Sequence, residues 1–210
     1  MKIALYGATG KVARPILDEA LARGHEVTAV TRDPSRALLP SLGNLQVEQG
    51  DILIGVTGVV RGHDVVISAI GAPKGSDGGL LIKAAHSLIR GLTGASIRRL
   101  LVVGGAGILE VTSGVRYLDM PEFPAEARPA SSAHLEALKV YSESHLDWTV
   151  VSPAAEFKPG ERTGCFRKSV GTLIRDKEAK SRISFEDYAI AMIDEAENPK
   201  FMRRHMAVGY

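Results

Sequence analysis

Cysteine and long apolar runs are both scarce in this sequence. Its 210 residues include one cysteine, Cys165, which excludes a disulfide within the chain and argues against a cysteine-based metal site. No apolar run approaches the roughly 18 residues that a membrane-spanning helix needs. The apolar run at the N-terminus is too short for a signal peptide. We therefore expect a cytoplasmic protein with no metal site and no membrane partner.

The sequence also has little excess of positive over negative charge. The chain has 26 Lys and Arg against 24 Asp and Glu, a formal net charge of +2, and no basic run concentrates the positive charge. Nucleic acid is therefore not an expected partner. The hydrophobic fraction of 45% and the charged fraction of 24% are those of a globular protein. A chain of this length can bury a sizeable core, so we predict a single domain over residues 1–210.

Short apolar runs alternate with amphipathic helical segments. The predicted strands are Lys2–Tyr6, Glu26–Thr31, Leu45–Glu48, Asp64–Ile70, Arg99–Val103 and Trp148–Val151, and the predicted helices are 12–21, 80–89, 132–144 and 185–197. Strands that are apolar throughout suit a sheet covered on both faces, and strand–helix alternation implies parallel crossovers. The expected fold is α/β, a doubly wound parallel sheet (Rossmann fold) with a small C-terminal substrate-covering region. Residues 108–130 and 153–180 are expected to be substrate-side loops.

A glycine-rich turn lies between the first predicted strand and the first predicted helix. It consists of Gly7, Ala8, Thr9, Gly10, Lys11, Val12 and Ala13. A helix N-terminus presents free N–H groups and the positive end of the helix dipole, which favour a pyrophosphate. Gly7 suits a tight turn, Gly10 lets the backbone approach the phosphates, and Ala13 lets the helix pack closely on the sheet. We predict dinucleotide binding here; the alternative is a plain turn containing two glycines.

Arg32 follows the second predicted strand, where this fold meets the adenosine ribose. An arginine there accommodates the 2′-phosphate of NADP, whereas an acidic side chain hydrogen-bonds the 2′-hydroxyl of NAD. Arg32 precedes Asp33, and Pro34 turns the chain at that point. We expect NADP(H) to be preferred, with NAD(H) as the alternative if Asp33 contacts the ribose instead.

Two further strand ends offer weaker signals. Asp51 ends the third strand, where it can accept a hydrogen bond from an adenine amino group or act as an ordinary helix N-cap. The segment 68–72 ends the fourth strand with small residues. Small residues suit a backbone pressed against a ribose, and they suit a plain turn equally well.

Four features of the sequence belong to one family pattern. They are the GxxGxxA spacing of the turn and three later segments, Asp147–Ala154, Pro159–Gly164 and Ser181–Ala189. With them the whole chain resembles the atypical branch of the short-chain dehydrogenase/reductase superfamily, in the group of NADH-flavin reductases related to biliverdin reductase B. The resemblance implies cofactor contacts along the chain. They are Gly7, Ala8, Thr9, Gly10, Lys11 and Val12 in the turn, Arg32 at the 2′-phosphate, Asp51 and Ile52 near adenine, Ala69, Ile70 and Gly71 near the ribose, and Gly104, Gly105, Ala106, Ser152, Pro153, Ala154 and Ala155 beside the nicotinamide.

The chain departs from its superfamily in lacking the Tyr-x-x-x-Lys pair. Lys139 has Leu135 four residues before it, and Tyr141 leads to His145. Carbonyl reduction needs a proton delivered to a developing alkoxide, so it suffers most from a missing acid. A flavin or quinone delocalises the charge, and positioning of the two rings then supplies most of the catalysis.

These observations predict an NADPH-dependent reductase that transfers a hydride to a planar acceptor such as flavin or quinone. The missing tyrosine leaves open an NADP(H)-sensing regulator without turnover and, less favoured, a sugar-nucleotide epimerase. Lys139 and His134 are the candidate catalytic residues. The superfamily pattern would put Lys139 at the nicotinamide ribose, while His134 begins a helix and faces either the cleft or solvent. The sequence gives no signal for the oligomeric state.

Overall fold

The computed structural model describes residues 1–73 and 75–210. Its strands are β1 Lys2–Tyr6, β2 Glu26–Thr31, β3 Leu45–Gln49, β4 Val65–Ser68, β5 Arg99–Val103, β6 Glu110–Thr112, β7 Val115–Arg116, β8 Asp147–Ser152, β9 Glu156–Lys158, β10 Arg167–Val170, β11 Arg182–Ser184 and β12 Arg204–Gly209. Its helices are α1 Ala13–Ala22, α2 Val56–Val60, α3 Gly79–Ala95, α4 Arg128–Ser142 and α5 Phe185–Glu197.

Eight of the strands form one sheet in the order β10-β12-β8-β5-β4-β1-β2-β3. All neighbours are parallel except β10, which runs antiparallel to β12. From β1 the chain winds first to β2 and β3 and then, in the other direction, to β4. Ligands of such sheets bind at the carboxyl ends of the strands where the winding reverses.

Helices cover both faces of the sheet, which explains why the central strands are apolar throughout. In β1, Ile3 and Leu5 point to the face packed by α1 and α5, while Ala4 and Tyr6 point to the face packed by α2, α3 and α4. Side chains alternate between the faces of a strand, so a strand covered on both sides must be apolar at every position. The doubly wound Rossmann fold is therefore confirmed.

Several element boundaries agree with the sequence prediction. Strands β1, β2 and β5 and helix α5 have the predicted limits. Gly24, with a φ of +79°, follows α1 in the left-handed conformation of a helix C-terminus. Ser184 caps α5, because its side chain accepts a hydrogen bond from the backbone N–H of Asp187 at 3.0 Å.

The C-terminal third corrects one part of the prediction. The segments predicted as loops, 108–130 and 153–180, contain strands β6, β7, β9 and β10, and α4 begins at Arg128 rather than at 132. Helix α5 packs against α1, and β12 lies inside the main sheet between β8 and β10. Only part of this third thus lies outside the core, so the predicted covering region is smaller than expected. In the described ranges, no helix has both the length and the apolar character to cross a membrane.

Candidate cofactor site

A cleft of about 340 Å³ lies at the carboxyl ends of β1, β2, β3 and β4. We call it the cofactor cleft. The predicted cofactor residues that line it are Gly7, Thr9, Gly10, Arg32, Asp51, Ile52, Ala69, Ile70 and Gly71. The fold therefore brings most of the predicted adenosine and pyrophosphate residues together in one place.

The glycine-rich turn has the geometry that a pyrophosphate requires. Gly7 has a φ of +78°, and a Cβ on it would lie 2.9 Å from the carbonyl oxygen of Ala69. The turn is closed by a 2.8 Å hydrogen bond from the Gly10 N–H to the Gly7 carbonyl. Helix α1 begins directly afterwards at the fully buried Ala13. The turn and the helix N-terminus thus form an open cradle, with two glycines on its lining, that fits a dinucleotide pyrophosphate.

Three residues of the turn do not line the cofactor cleft. The side chain of Ala8 is buried in the core beneath the turn, and Lys11 is exposed. Val12 is the N-cap of α1 and packs against the core. Any contribution of Ala8 and Val12 to cofactor binding must therefore come from the backbone.

Arg32 and Asp33 have different environments, although they are adjacent. Arg32 is exposed on the lining of the cofactor cleft. Asp33 caps the short 3-10 turn that begins at Pro34, and its Oδ1 accepts hydrogen bonds from the backbone N–H of Ser35 at 3.1 Å and from the Ser35 hydroxyl at 2.6 Å. One oxygen of the Asp33 carboxylate is therefore held by its own turn, and Arg32 is the positively charged side chain of this pair on the lining of the cofactor cleft.

One oxygen of the Asp51 carboxylate forms a structural hydrogen bond, and the other oxygen is available to a ligand. The Asp51 Oδ1 accepts a hydrogen bond from the backbone N–H of Leu53 at 2.8 Å, which holds the turn after β3. Ile52 is 6% exposed and forms part of the apolar wall of the cofactor cleft. An apolar wall beside a carboxylate oxygen suits an adenine ring and its amino group.

The predicted nicotinamide residues lie at neighbouring strand ends, outside the cofactor cleft itself. Strands β5 and β8 pair in parallel, and the Gly104 N–H donates to the Val151 carbonyl at 2.7 Å. A Cβ on Gly104 would lie 2.4 Å from the hydroxyl of Ser152, so only glycine fits there. Pro153 and Ala154 are buried, whereas Ala155 is exposed.

His134 faces this same region from α4. A Cβ on Gly105 would lie 3.0 Å from the His134 Cδ2, so the imidazole lies directly against the end of β5. Burial lowers the pKa of His134 to about 4. The ring is therefore neutral near pH 7 and offers a hydrogen-bond donor on one nitrogen and an acceptor on the other.

Lys139 requires a correction. It lies on the solvent side of α4, where its Nζ forms a 2.8 Å ion pair with Glu136, and its side chain is 59% exposed. Five residues along a helix turn a side chain well away from that of His134. The position expected for a superfamily lysine beside the nicotinamide ribose is therefore not the one that Lys139 takes.

His205 is a residue of this region that sequence reasoning missed. Its Nε2 is 2.8 Å from the hydroxyl of the fully buried Ser152. Burial, and to a lesser extent the nearby His134, lower the pKa of His205 to about 4. Strand β12 begins at Arg204, so the second residue of that strand reaches Ser152.

Comparisons with known proteins agree with the fold and the cleft. The chain belongs to the NAD(P)H-binding family, which matches residues 7–199. It is 40% identical over 212 residues to the uncharacterized protein YwnB of Bacillus subtilis (strain 168), covering 99% of this chain and 98% of YwnB.

Solved structures give the same result. A candidate epimerase from Bacteroides thetaiotaomicron is 40% identical with a TM-score of 0.91, covering 100% of this chain and 96% of that one. A candidate NADH-flavin reductase from Streptococcus pneumoniae is 33% identical with a TM-score of 0.90, covering 100% of this chain and 99% of that one. The resemblance to atypical short-chain dehydrogenases/reductases is confirmed, the cofactor is NAD(P)H, and these findings support an NAD(P)H-dependent oxidoreductase.

Proposed function

We propose that the protein is an NADPH-dependent reductase whose acceptor is a planar conjugated ring such as a flavin or a quinone. One observation carries the choice of NADPH. Arg32 lines the cofactor cleft with an exposed guanidinium, while the Asp33 carboxylate is held by Ser35. A guanidinium forms strong charge-assisted hydrogen bonds with a phosphate, so Arg32 binds the 2′-phosphate that distinguishes NADP from NAD.

The residues at the nicotinamide end support a planar acceptor. A bound nicotinamide supplies the hydride. Gly104 and Gly105 have no side chains, and the space that a Cβ would take is occupied by the Ser152 hydroxyl at Gly104 and by the His134 ring at Gly105. His134 is the ionisable side chain that lies against Gly105, and it is uncharged near pH 7. A neutral imidazole can orient a ring by a hydrogen bond, but it is a poor source of the proton that an alkoxide needs.

The experiment is a turnover assay with both cofactors. Purified protein is mixed with NADPH or NADH and with FMN or a quinone, and the loss of the reduced-nicotinamide absorbance is followed. We expect turnover that favours NADPH. Binding of NADPH without oxidation by any planar acceptor would contradict the proposal and support a cofactor-sensing regulator.

Arg32→Ala tests the choice of cofactor directly. The loss of a charge-assisted phosphate contact should weaken NADPH binding by about tenfold to a hundredfold and leave NADH binding unchanged. The matched control is Arg61→Ala, because Arg61 is an exposed arginine near the start of β1, at the opposite edge of the sheet. Equal losses for NADPH and NADH, or a wild-type preference for NADH, would show that Arg32 does not bind the 2′-phosphate.

A further inference from the structure

Tyr6 is a lining residue of the cofactor cleft whose role the sequence did not predict. It is the last residue of β1 and pairs with Val30 of β2 and Ser68 of β4. Its side chain is 1% exposed and belongs to the same core cluster as Val30 and Ile52, which also line the cofactor cleft. Tyr6 is thus a buried side chain at the adenosine half of the cleft.

The hydroxyl of Tyr6 lacks a partner. In the part of the chain that the structure describes, its oxygen is buried and forms no hydrogen bond. Val30, Val56 and Val60 belong to its core cluster, and their side chains offer neither a donor nor an acceptor. Buried polar groups are almost always hydrogen-bonded, so an unpaired hydroxyl destabilises the fold. A phenylalanine would fill the same space without that cost, and the fold alone therefore gives no reason for the hydroxyl.

The chemistry of the hydroxyl suits an adenine ring. Burial, and then the negative charges of Glu48 and Asp51, raise the pKa of Tyr6 above the ordinary value of 10, so the hydroxyl is a hydrogen-bond donor near pH 7. These two carboxylates belong to β3 and to the turn after it, which puts the hydroxyl on the β3 side of the cofactor cleft. Adenine has a flat apolar face and ring nitrogens that accept hydrogen bonds. A protonated phenol beside the apolar Ile52 complements both.

We propose that Tyr6 is a cofactor-binding residue whose hydroxyl donates a hydrogen bond to a ring nitrogen of the adenine of NADP(H). The adenine supplies the acceptor that the fold does not, so cofactor binding removes the cost of the unpaired hydroxyl. Because the hydroxyl oxygen is buried, a side chain of the cleft lining moves aside as the base enters. The proposal rests on the NAD(P)H cofactor and not on the identity of the acceptor.

The first test measures affinity for adenosine 2′,5′-bisphosphate and for 5′-AMP, which carry the adenine half of the cofactor without the nicotinamide. Tyr6→Phe should weaken both by about fivefold, the value of one lost hydrogen bond. Arg32→Ala should weaken only the bisphosphate, because 5′-AMP has no 2′-phosphate.

Tyr188→Phe is the matched control for the affinity measurement. Tyr188 is also fully buried, but its hydroxyl donates to the Val151 carbonyl at 2.6 Å. It lies in the core on the sheet face opposite to that of Tyr6. This control should therefore leave both affinities unchanged.

Stability without cofactor gives a second readout, in which the two tyrosines should differ in sign. Tyr6→Phe should raise the urea midpoint of unfolding because an unpaired hydroxyl is removed, whereas Tyr188→Phe should lower it because a hydrogen bond is lost. Unchanged affinity for both nucleotides in folded Tyr6→Phe would overturn the proposal. A crystal structure of the bisphosphate complex in which the hydroxyl contacts no adenine nitrogen would also overturn it. Weakened affinity together with no turnover on any planar acceptor would support the role of Tyr6 and contradict the reductase function.

Discussion

The absence of a side chain at Gly10 leaves space for a pyrophosphate at the start of α1. The Gly10 N–H closes the turn on the Gly7 carbonyl, and a Cβ on Gly10 would lie 3.1 Å from that carbonyl oxygen. A branched side chain would also enter the space where a pyrophosphate meets the start of α1. The sequence alone could identify this residue, because its spacing after β1 already implied the turn.

Gly10→Val should therefore weaken NADPH binding by at least tenfold, or about 1.4 kcal/mol, without unfolding the protein. Isothermal titration calorimetry measures the affinity, and circular dichroism checks the fold. Gly58→Val is the matched control, since Gly58 is exposed on α2 and a Cβ on it would meet nothing within 4 Å. An unchanged affinity in folded Gly10→Val would remove the turn from the cofactor site.

The positions of His134 and Lys139 on α4 show that His134, and not Lys139, lies near the predicted nicotinamide residues. The superfamily pattern suggested Lys139 at the nicotinamide ribose, yet His134 lies against Gly105 while Lys139 pairs with Glu136 at the surface. The rotation of a helix about its own axis depends on how the helix packs on the sheet, and a single sequence does not determine that rotation. This part of the site therefore needed the structure.

His134→Leu should lower turnover by about tenfold, the value of one lost hydrogen bond, whereas Lys139→Met should leave it unchanged. Wild-type turnover should vary little between about pH 6 and 8, because the pKa of His134 is about 4 and the ring stays neutral in that range. Steady-state kinetics at saturating NADPH measure both effects. A thousandfold fall in His134→Leu would mean that the histidine is an essential general acid.

At the scale of elements, long apolar strands could be predicted and short polar ones could not. Strand β1 is buried at four of its five positions and β5 at its three central positions, and their sequence limits agree with the structure. Strand β10 has four residues, none of them buried, and gives no apolar pattern. Helix α4 begins earlier than predicted because Pro129 lies in its first turn, where proline is tolerated, although a proline in sequence suggests a loop.

The loop after β9 is anchored by helices α1 and α5. Arg162 donates from Nε and Nη2 to Glu19 of α1, both at 2.9 Å. Asp187 of α5 is fully buried and accepts hydrogen bonds from the Thr163 hydroxyl, from the Gly164 N–H at 2.8 Å and from the Tyr210 hydroxyl at 2.9 Å. This segment, predicted as a substrate-side loop, is thus tied to the core at its middle.

Asp187→Ala should lower the free energy of unfolding by about 3 kcal/mol, because three donors lose a fully buried acceptor. Urea denaturation followed by circular dichroism gives the value. The control Asp18→Ala should cost less than about 0.5 kcal/mol, since Asp18 forms an exposed pair with Arg14. Similar losses in the two variants would show that Asp187 does not anchor the loop.

At the scale of the whole molecule, two half-buried histidines make stability depend on pH. Burial lowers the pKa of His134 and of His205 to about 4, against 6.5 for an ordinary histidine. As the pH falls below about 6.5, the two histidines become protonated in the unfolded chain but stay neutral in the folded protein. The stability that these groups contribute is therefore fully present above about pH 6.5 and is lost as the pH falls toward 4.

The double variant His134→Gln/His205→Gln should flatten this dependence. In the wild type, each histidine contributes a slope of at most about 1.4 kcal/mol per pH unit, and their half-buried positions reduce that value. Urea denaturation between about pH 7 and 5 separates this effect from most carboxylate titration. His86→Gln, at an exposed histidine, serves as the control. The same slope in the wild type and in the double variant would contradict the assignment of this pH dependence to His134 and His205.

The position of β12 has a consequence for how the chain assembles during synthesis. In the sheet, β12 is the neighbour of both β8 and β10, although β10 precedes it in the chain by more than 30 residues. β10 therefore cannot join the sheet before residues 204–209 have left the ribosome, and until then β8 is an unpaired edge. Unpaired strand edges attract other chains, so β8 is the edge through which an incomplete chain is most exposed to pairing with other chains until β12 joins it.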